Sequence, residues 1–287
     1  MAEPVLNETA TRQSRKGAGQ TFWRRQPAPP LRPLITTFMA RRDFDFREGM
    51  VVFPNAQPEI FAHFGSPYWT TESVGGPLLP LPAMSVLTPR SAPYRHVNGP
   101  KVDWFLMQLT PLGCVVLLGA TMAALTGPDI ALASLIGPSA QDLCDALASA
   151  HGFDERCDIA EGWASIHSLA DSGQRIALSK IITFARNHSI RSVRQIALEL
   201  GVSDRRLRQI FAAEIGMSPK TFFSLMRAER LWTHAHPQSG FIGLFDEFAD
   251  QSHAAREFRR FTGLTLGSYL RSKRNGDELV NGITTSA

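Results

Sequence analysis

Hydrophobic and polar positions follow two rhythms along this chain, and the change falls near residue 121. Before it, apolar runs are short and punctuated. The runs Met50-Val51-Val52-Phe53, Glu59-Ile60-Phe61-Ala62-His63-Phe64, Met84-Ser85-Val86-Leu87 and Val102-Asp103-Trp104-Phe105-Leu106-Met107 stand among turn signals such as Gly75-Gly76-Pro77, Asn98-Gly99-Pro100 and Pro111-Leu112-Gly113. A helix needs an apolar stripe of period 3.6 sustained over ten or more residues, and breakers are too frequent here for one. The pattern predicts short strands closing into an antiparallel barrel or sandwich. The uncharged stretch 105–128 is interrupted by Pro111, Gly113, Gly119 and Gly127. It reads as strand, turn, strand and a short helical piece, because a membrane span wants ~20 mostly apolar residues without such breaks.

Beyond residue 121 helical spacing takes over. Leu143, Ala146, Leu147 and Ala150 mark a helix over 139–150, and a weaker one follows over 157–169. From residue 173 the chain reads as helices with short turns. The expected class is α+β, an antiparallel barrel- or sandwich-like domain followed by an all-α domain. The expected segments are a disordered polar tail over 1–27, the β-rich domain over 28–135, a helical linker over 136–173, the all-α domain over 174–273 and a flexible tail over 274–287.

The segment 192–219 carries the clearest pattern. Val193, Ile196, Ala197 and Leu200 share one helix face, and Gly201 ends that helix, since a residue just past a helix end often adopts the left-handed conformation. Ser203 is a good N-cap for a second helix, whose inward stripe is Leu207, Ile210, Phe211 and Ile215. Its outward face carries Asp204, Arg205, Arg208, Gln209 and Ala212, with Arg206 at the edge. Helix, tight glycine turn, helix is the geometry that lays a second helix in the DNA major groove. Gly216, then Ser218 as N-cap and Pro219 at the first helical position, open a long helix over about 220–236. A second unit is expected as a helix over 241–247, a turn at Phe248-Ala249, an Asp250 N-cap, and a helix through Phe261 ending at Gly263.

Ile196, Ala197, Leu200, Gly201, Ser203, Leu207, Phe211, Gly216, Ser218 and Pro219 are followed by Arg230, Phe248-Ala249-Asp250-Gln251-Ser252-His253, Arg256-Glu257-Phe258-Arg259-Arg260, Gly263 and Tyr269. At this spacing they resemble the DNA-binding domain of AraC/XylS-type transcription regulators, over about 100 residues. The N-terminal half resembles more loosely the cupin-like barrel sensory domains of such regulators, through Val52-Phe53-Pro54, Glu59-Ile60, His63-Phe64-Gly65 and Pro67, and again from Phe105 to Gly119. The resemblance implies seven helices, with two helix-turn-helix units joined by a long helix and entering major-groove segments ~10 bp apart. Carried over by position, the DNA-binding residues are Arg194, Ser203, Arg205, Arg206, Arg208 and Gln209 in the first unit, and Gln251, Ser252, His253, Arg256 and Arg259, with Ala255, in the second. Arg191, Arg194, Lys220, Arg227, Arg260 and Arg271 are candidate phosphate contacts, which position without specifying sequence. The resemblance implies a bacterial, sequence-specific transcription regulator whose N-terminal domain senses an effector. Its partners would be double-stranded DNA and a small molecule, with RNA polymerase and a second copy of the chain as further candidates.

The second unit departs from the family pattern. Glu247 replaces a glycine before the turn, Gly243 stands in the first helix, Ala254 takes the large core position, and Leu266 replaces the proline opening the last helix. Asp246, Glu247 and Asp250 add negative charge on the DNA side. The alternative reading is therefore an interaction-only regulator with a degraded second unit.

Charge sharpens the division. The chain has 287 residues and a net charge of +4. Residues 1–33 carry +4, residues 34–173 carry −7, residues 174–274 carry +9 and the rest −2. A basic block of this size is the footprint of a nucleic-acid binder. Cys114, Cys144 and Cys157 show no paired spacing, which argues against a disulfide scaffold or zinc site and for a reducing, cytoplasmic setting. His63 and His96 are isolated, and the pair His234 and His236 lacks obvious partners, so a metal-dependent barrel enzyme is the weakest of the three readings. No catalytic residue, metal ligand or cofactor is expected. Tyr68, Trp69, Phe64, Tyr94 and Trp104 are candidates for an aromatic pocket, and Arg90 and Arg95 for meeting an acidic effector.

Overall fold

The computed structural model describes residues 11–14, 21–44, 50–168, 193–236 and 239–275. Eleven strands among them make two antiparallel sheets. The larger runs β1 (Thr11–Ser14), β2 (Thr21–Arg25), β3 (Ile35–Phe44), β10 (Lys101–Leu109), β5 (Glu59–His63), β8 (Met84–Leu87) and β11 (Ile130–Ala131). The smaller runs β4 (Met50–Val52), β9 (Tyr94–Asn98), β6 (Tyr68–Thr70) and β7 (Leu79–Leu81). The fold is α+β, with the sheets N-terminal and the helices C-terminal.

Side chains on a strand alternate between faces, and the large sheet buries both. Leu106 of β10 pairs with Met39 of β3 on one side and Phe61 of β5 on the other, and all three turn toward the small sheet, where they meet Tyr68 and Leu81. The intervening residues Phe38, Phe105, Met107, Ile60 and Val86 join a second core shared with the helices. Burial on both faces is why these strands read as continuous apolar runs rather than as clean alternation.

Three expectations are corrected. Residues 21–25, placed in a tail, form β2 against β3, and Arg25 reaches Asp158 at 2.7 Å and Asp154 at 3.5 Å. Those acidic partners lie more than 120 positions away, so local polarity could not reveal them. The second strand expected within 105–128 is instead the helix α1 (Pro111–Leu118). Thr110 caps it by accepting from the Gly113 N–H, Pro111 takes the first turn and Gly119 closes it at φ +65°. Cys114 is thus a buried helix residue, and burial pushes its thiol well above the usual range. The third correction concerns residues 241–247, which form turns and no helix. Gly240 and Gly243 take φ of +66° and +76°, left-handed values that cannot continue a right-handed helix.

The connecting helices α2 (Ala133–Ile136), α3 (Ser139–Ser149) and α4 (Phe153–Ser168) lie between sheet and C-terminal helices in sequence. Arg156 of α4 is 4% exposed and grips Asp103 of β10 at 2.7 Å, and its Nε donates to the Leu147 carbonyl. Arg42 reaches the same carboxylate at 2.9 Å. The C-terminal helices are α5 (Val193–Glu199), α6 (Asp204–Ile210), α7 (Pro219–His234), α8 (Gln251–Thr262) and α9 (Leu266–Asn275). Much of the expected start of the all-α domain, 174–192 with Arg191, lies outside the described residues, as do most of the two expected tails.

One core runs from the large sheet into the C-terminal helices. The Phe53 ring lies 5.5 Å from Trp232 of α7 and 5.9 Å from Tyr269 of α9. Tyr269 donates its hydroxyl proton to the Trp232 carbonyl at 2.6 Å. Gly216, at φ +78°, lies against Ala123, and a Cβ there would stand 2.8 Å from the Ala123 Cα. Phe53 is fully buried, so Phe53→Ala removes a ring from this junction. We expect a loss of about 3–5 kcal/mol in stability, measured by chemical denaturation. An unchanged midpoint would show that the ring contributes no net packing.

Candidate nucleic-acid interface and the barrel interior

The first helix pair forms as the pattern predicts. Ile196 and Ala197 of α5 are buried, Gly201 turns at φ +64°, and Ser203 accepts from the Arg206 N–H at 3.2 Å to cap α6. The helix continues as a π-helical turn over Phe211–Ile215, closed by the Gly216 N–H donating to the Phe211 carbonyl. Leu207 and Phe211 face inward, and Phe211 packs on Phe222 at 5.6 Å and Phe223 at 5.4 Å. Those rings belong to α7, which Ser218 caps and Pro219 opens. The inward stripe therefore fixes which way the other face points.

That face is open. Ser203, Arg205, Arg206, Arg208 and Gln209 are exposed, as is Arg194 on α5. Among the described residues, no hydrogen bond or ion pair occupies the side chains of Arg205, Arg206, Arg208 and Gln209. Four polar side chains on one helix thus present unused donors to solvent.

The second unit is built differently. Asp250 caps α8 by accepting from the His253 N–H at 2.6 Å, and Gly263 ends it at φ +75°. Gln251, Ser252, Arg256 and Arg259 are exposed on this helix, Ala255 is half-buried, and Ala254, Phe258 and Phe261 are buried. His253, expected alongside the DNA-facing residues, is half-buried and engaged within its own unit. Its Nδ1 accepts from the Ala249 N–H at 3.4 Å, its Nε2 lies 3.5 Å from Glu257 and its ring edges onto Phe248. Arg227, expected at phosphate, is also occupied. It meets Glu257 at 3.1 and 3.2 Å, and the same carboxylate accepts from Ser224. Arg230 pairs with Glu247, so an acid that sequence alone placed against DNA is neutralised within the fold. His236 and Gly240, after α7, exchange backbone hydrogen bonds.

Between the two sheets lies a cavity of about 60 Å³. Tyr68, Tyr94 and Trp104 of the expected aromatic set line it, whereas Phe64 lies under Arg156 and Trp69 does not reach it. Arg90 is locked onto Asp129 at 2.8 Å, and Arg95 is exposed. Sequence reading missed Glu59 and His96 in this wall. The signal available was alternation: Glu59 and Phe61 are two apart on β5, as Tyr94 and His96 are on β9, so each pair shares a face. Burial and the Glu229 carboxylate push the Glu59 carboxyl up to about 8, against donation from Gln108 and Asn55. Burial and the positive charge of Arg90 push His96 down to about 3.

Among the described residues no helix is long and apolar enough to cross a membrane, and no group of three or more His, Cys, Asp or Glu side chains gathers as a metal site.

Arg227 and Glu257 are both largely shielded, their side chains 11% and 10% exposed. Glu257→Ala removes the carboxylate that meets this guanidinium at 3.1 Å, and we expect a loss of about 3 kcal/mol, read by urea denaturation. Arg227→Met combined with Glu257→Leu should recover most of it, because an apolar pair replaces a desolvated ionic one. A single variant as stable as the parent would contradict this.

No protein-family model and no curated protein matches the chain. Among solved structures, an apo variant of ToxT from Vibrio cholerae is similar at 12% identity and a TM-score of 0.47, covering 86% of this chain and 99% of that one. Wild-type ToxT from Vibrio cholerae bound to an unsaturated fatty acid is similar at 12% identity and a TM-score of 0.47, covering 81% and 94%. The polyketide cyclase RemF from Streptomyces resistomycificus is similar over 38% of this chain and 79% of its own, at 11% identity and a TM-score of 0.27.

Proposed function

We propose that this chain is a sequence-specific, DNA-binding transcription regulator whose N-terminal domain senses an effector. The observation that carries the reading is the α6 face, where Arg205, Arg206, Arg208 and Gln209 are exposed and unoccupied on a helix fixed from behind by Leu207 and Phe211. Arginine pairs bidentately with guanine and glutamine with adenine, each good pair being worth about 1–3 kcal/mol of base discrimination. The +9 charge of residues 174–274 supplies sequence-independent attraction to phosphate. The resemblance of the motif spacing to AraC/XylS-type regulators implies a groove-facing role for the same residues, which supports the reading.

Base reading is assigned chiefly to the first unit. In the second, Gln251, Ser252, Arg256 and Arg259 are presented on α8, but the segment that should form its supporting helix is a run of turns. Arg256 and Arg259 then serve mainly as contacts to phosphate. His253 and Arg227 are assigned to the internal Glu257 cluster instead of DNA. Double-stranded DNA is the macromolecular partner, and RNA polymerase and a second copy of the chain are the further partners implied by the resemblance.

A mobility-shift titration against the DNA upstream of the chain's own gene, at ~100 mM salt, tests the assignment. The parent should bind saturably in the presence of competitor DNA. Arg205→Ala and Arg208→Ala should each weaken specific binding by about 1–3 kcal/mol. Arg256→Ala should instead weaken all sequences alike and reduce the log–log salt slope by about one. No saturable shift, or α6 variants indistinguishable from the parent, would sink the reading.

A further inference from the structure

The inner faces of the two sheets meet as one core only in part, where Tyr68 and Leu81 of the small sheet pack with Met39, Phe61 and Leu106. Met39, Phe61, Trp104 and Leu106 belong to one apolar cluster, while Met50, Val52 and Tyr94 form another, and the cavity lies between them. We propose that this cavity binds an uncharged, ring-sized molecule carrying a hydroxyl or carbonyl group, and rejects carboxylates. The proposal rests on the reading of the N-terminal domain as a sensor and names the chemistry of what it senses.

Geometry carries it. Phe61, Tyr68, Tyr94 and Trp104 supply aromatic walls, with Phe61 and Trp104 5.8 Å apart and Phe61 and Tyr68 5.5 Å apart. Stacking and edge contacts with rings favour a planar guest. Among these walls His96 is 6% exposed, and its Nε2 has no hydrogen-bond partner among the described residues. A buried polar atom left unpaired costs about 1–3 kcal/mol, and a guest hydroxyl or carbonyl removes that cost. Glu59 stands in the same wall, its Oε1 already accepting from Asn55 and Gln108.

Among the described residues, no lysine or arginine lines the cavity. Arg90 lies 3.8 Å from the Tyr94 ring centre and is paired with Asp129 at 2.8 Å. The charged groups acting on Glu59 are Glu229 from α7 and Asp129 ahead of β11, and those acting on His96 are Arg90 and His63. With Glu59 pushed up to about 8 and His96 down to about 3, both present uncharged hydrogen-bonding groups at neutral pH. A guest carboxylate would lose its hydration without gaining a cation. The present space of about 60 Å³ is smaller than the roughly 150 Å³ cavity known to accept benzene. Met39 and Met50, unbranched and on opposite sheets, are the side chains that can turn aside.

Calorimetric titration of the full chain with benzyl alcohol and with benzoate, at about pH 7, tests the proposal, because the two share a ring and differ in charge. Benzyl alcohol should bind saturably and benzoate about tenfold or more weaker. Benzyl alcohol does not ionise in this range, so a fall in its affinity above pH about 8 reports Glu59. Glu59→Gln should bind it with a flat profile. Val52→Phe and Leu106→Trp fill the space and should abolish binding; if neither folds, the comparison of Glu59→Gln with the parent decides. Absence of binding, equal affinity for benzoate, or a parent profile as flat as Glu59→Gln would each overturn the proposal. Mobility shifts of the protein without either probe are scored separately: DNA binding retained while calorimetry fails removes the cavity alone, and the converse removes the DNA reading alone.

Discussion

The strand pair β3 and β10 carries side chains into two different cores, and both ends of the molecule depend on that division. Its inner residues Met39, Trp104 and Leu106 line the space between the sheets, and its outer residues Phe38, Phe105 and Met107 join the core shared with the helices. Because the strands are hydrogen-bonded in register from Lys101↔Phe44 to Met107↔Phe38, a one-residue slip would exchange the two sets. The cavity and the seat of the helices are thus opposite faces of one sheet. Asp103, clamped by Arg42 and Arg156, ties that sheet to α4 through a buried charge whose partners are all in place.

What could be read from the sequence follows the range of the interactions involved. The strands at Met50, Glu59, Met84 and Val102 and the helix pair around Gly201 announce themselves through local periodicity and capping, and they form where expected. The misses have non-local or competing causes. Arg25 looks like part of a basic leader until Asp154 and Asp158 arrive from far along the chain. The stretch after Thr110 has the composition of a strand, but a single hydroxyl cap and a proline turn it into a helix. Among the site residues, the exposed arginines of α6 were visible because an amphipathic helix declares both of its faces. His96 and Glu59 were not, because their meaning comes from two sheets brought together.

The segments around α6 and α8 show the same composition put to different uses. In the first, the apolar stripe does the anchoring and leaves the arginines to solvent. In the second, Arg227, Arg230 and His253 are drawn into contacts with Glu257 and Glu247, and the preceding segment 241–247 forms turns. A helix over 241–247 would have placed Ile242 within an amphipathic face; in the turns that form instead, Ile242 is 81% exposed. The net positive charge of this half therefore overstates the number of cations free to meet phosphate.

The contact between Gly216 and Ala123 has a thermodynamic consequence. It presses the end of the turn that continues α6 against the short turn Met122–Ala124 that follows α1, so α6 is not carried on a free linker. Orientation is settled during folding, and association need not freeze a hinge at the moment of encounter. The two positions are also bound to one another: any side chain at 216, or a bulkier one at 123, would force this contact apart.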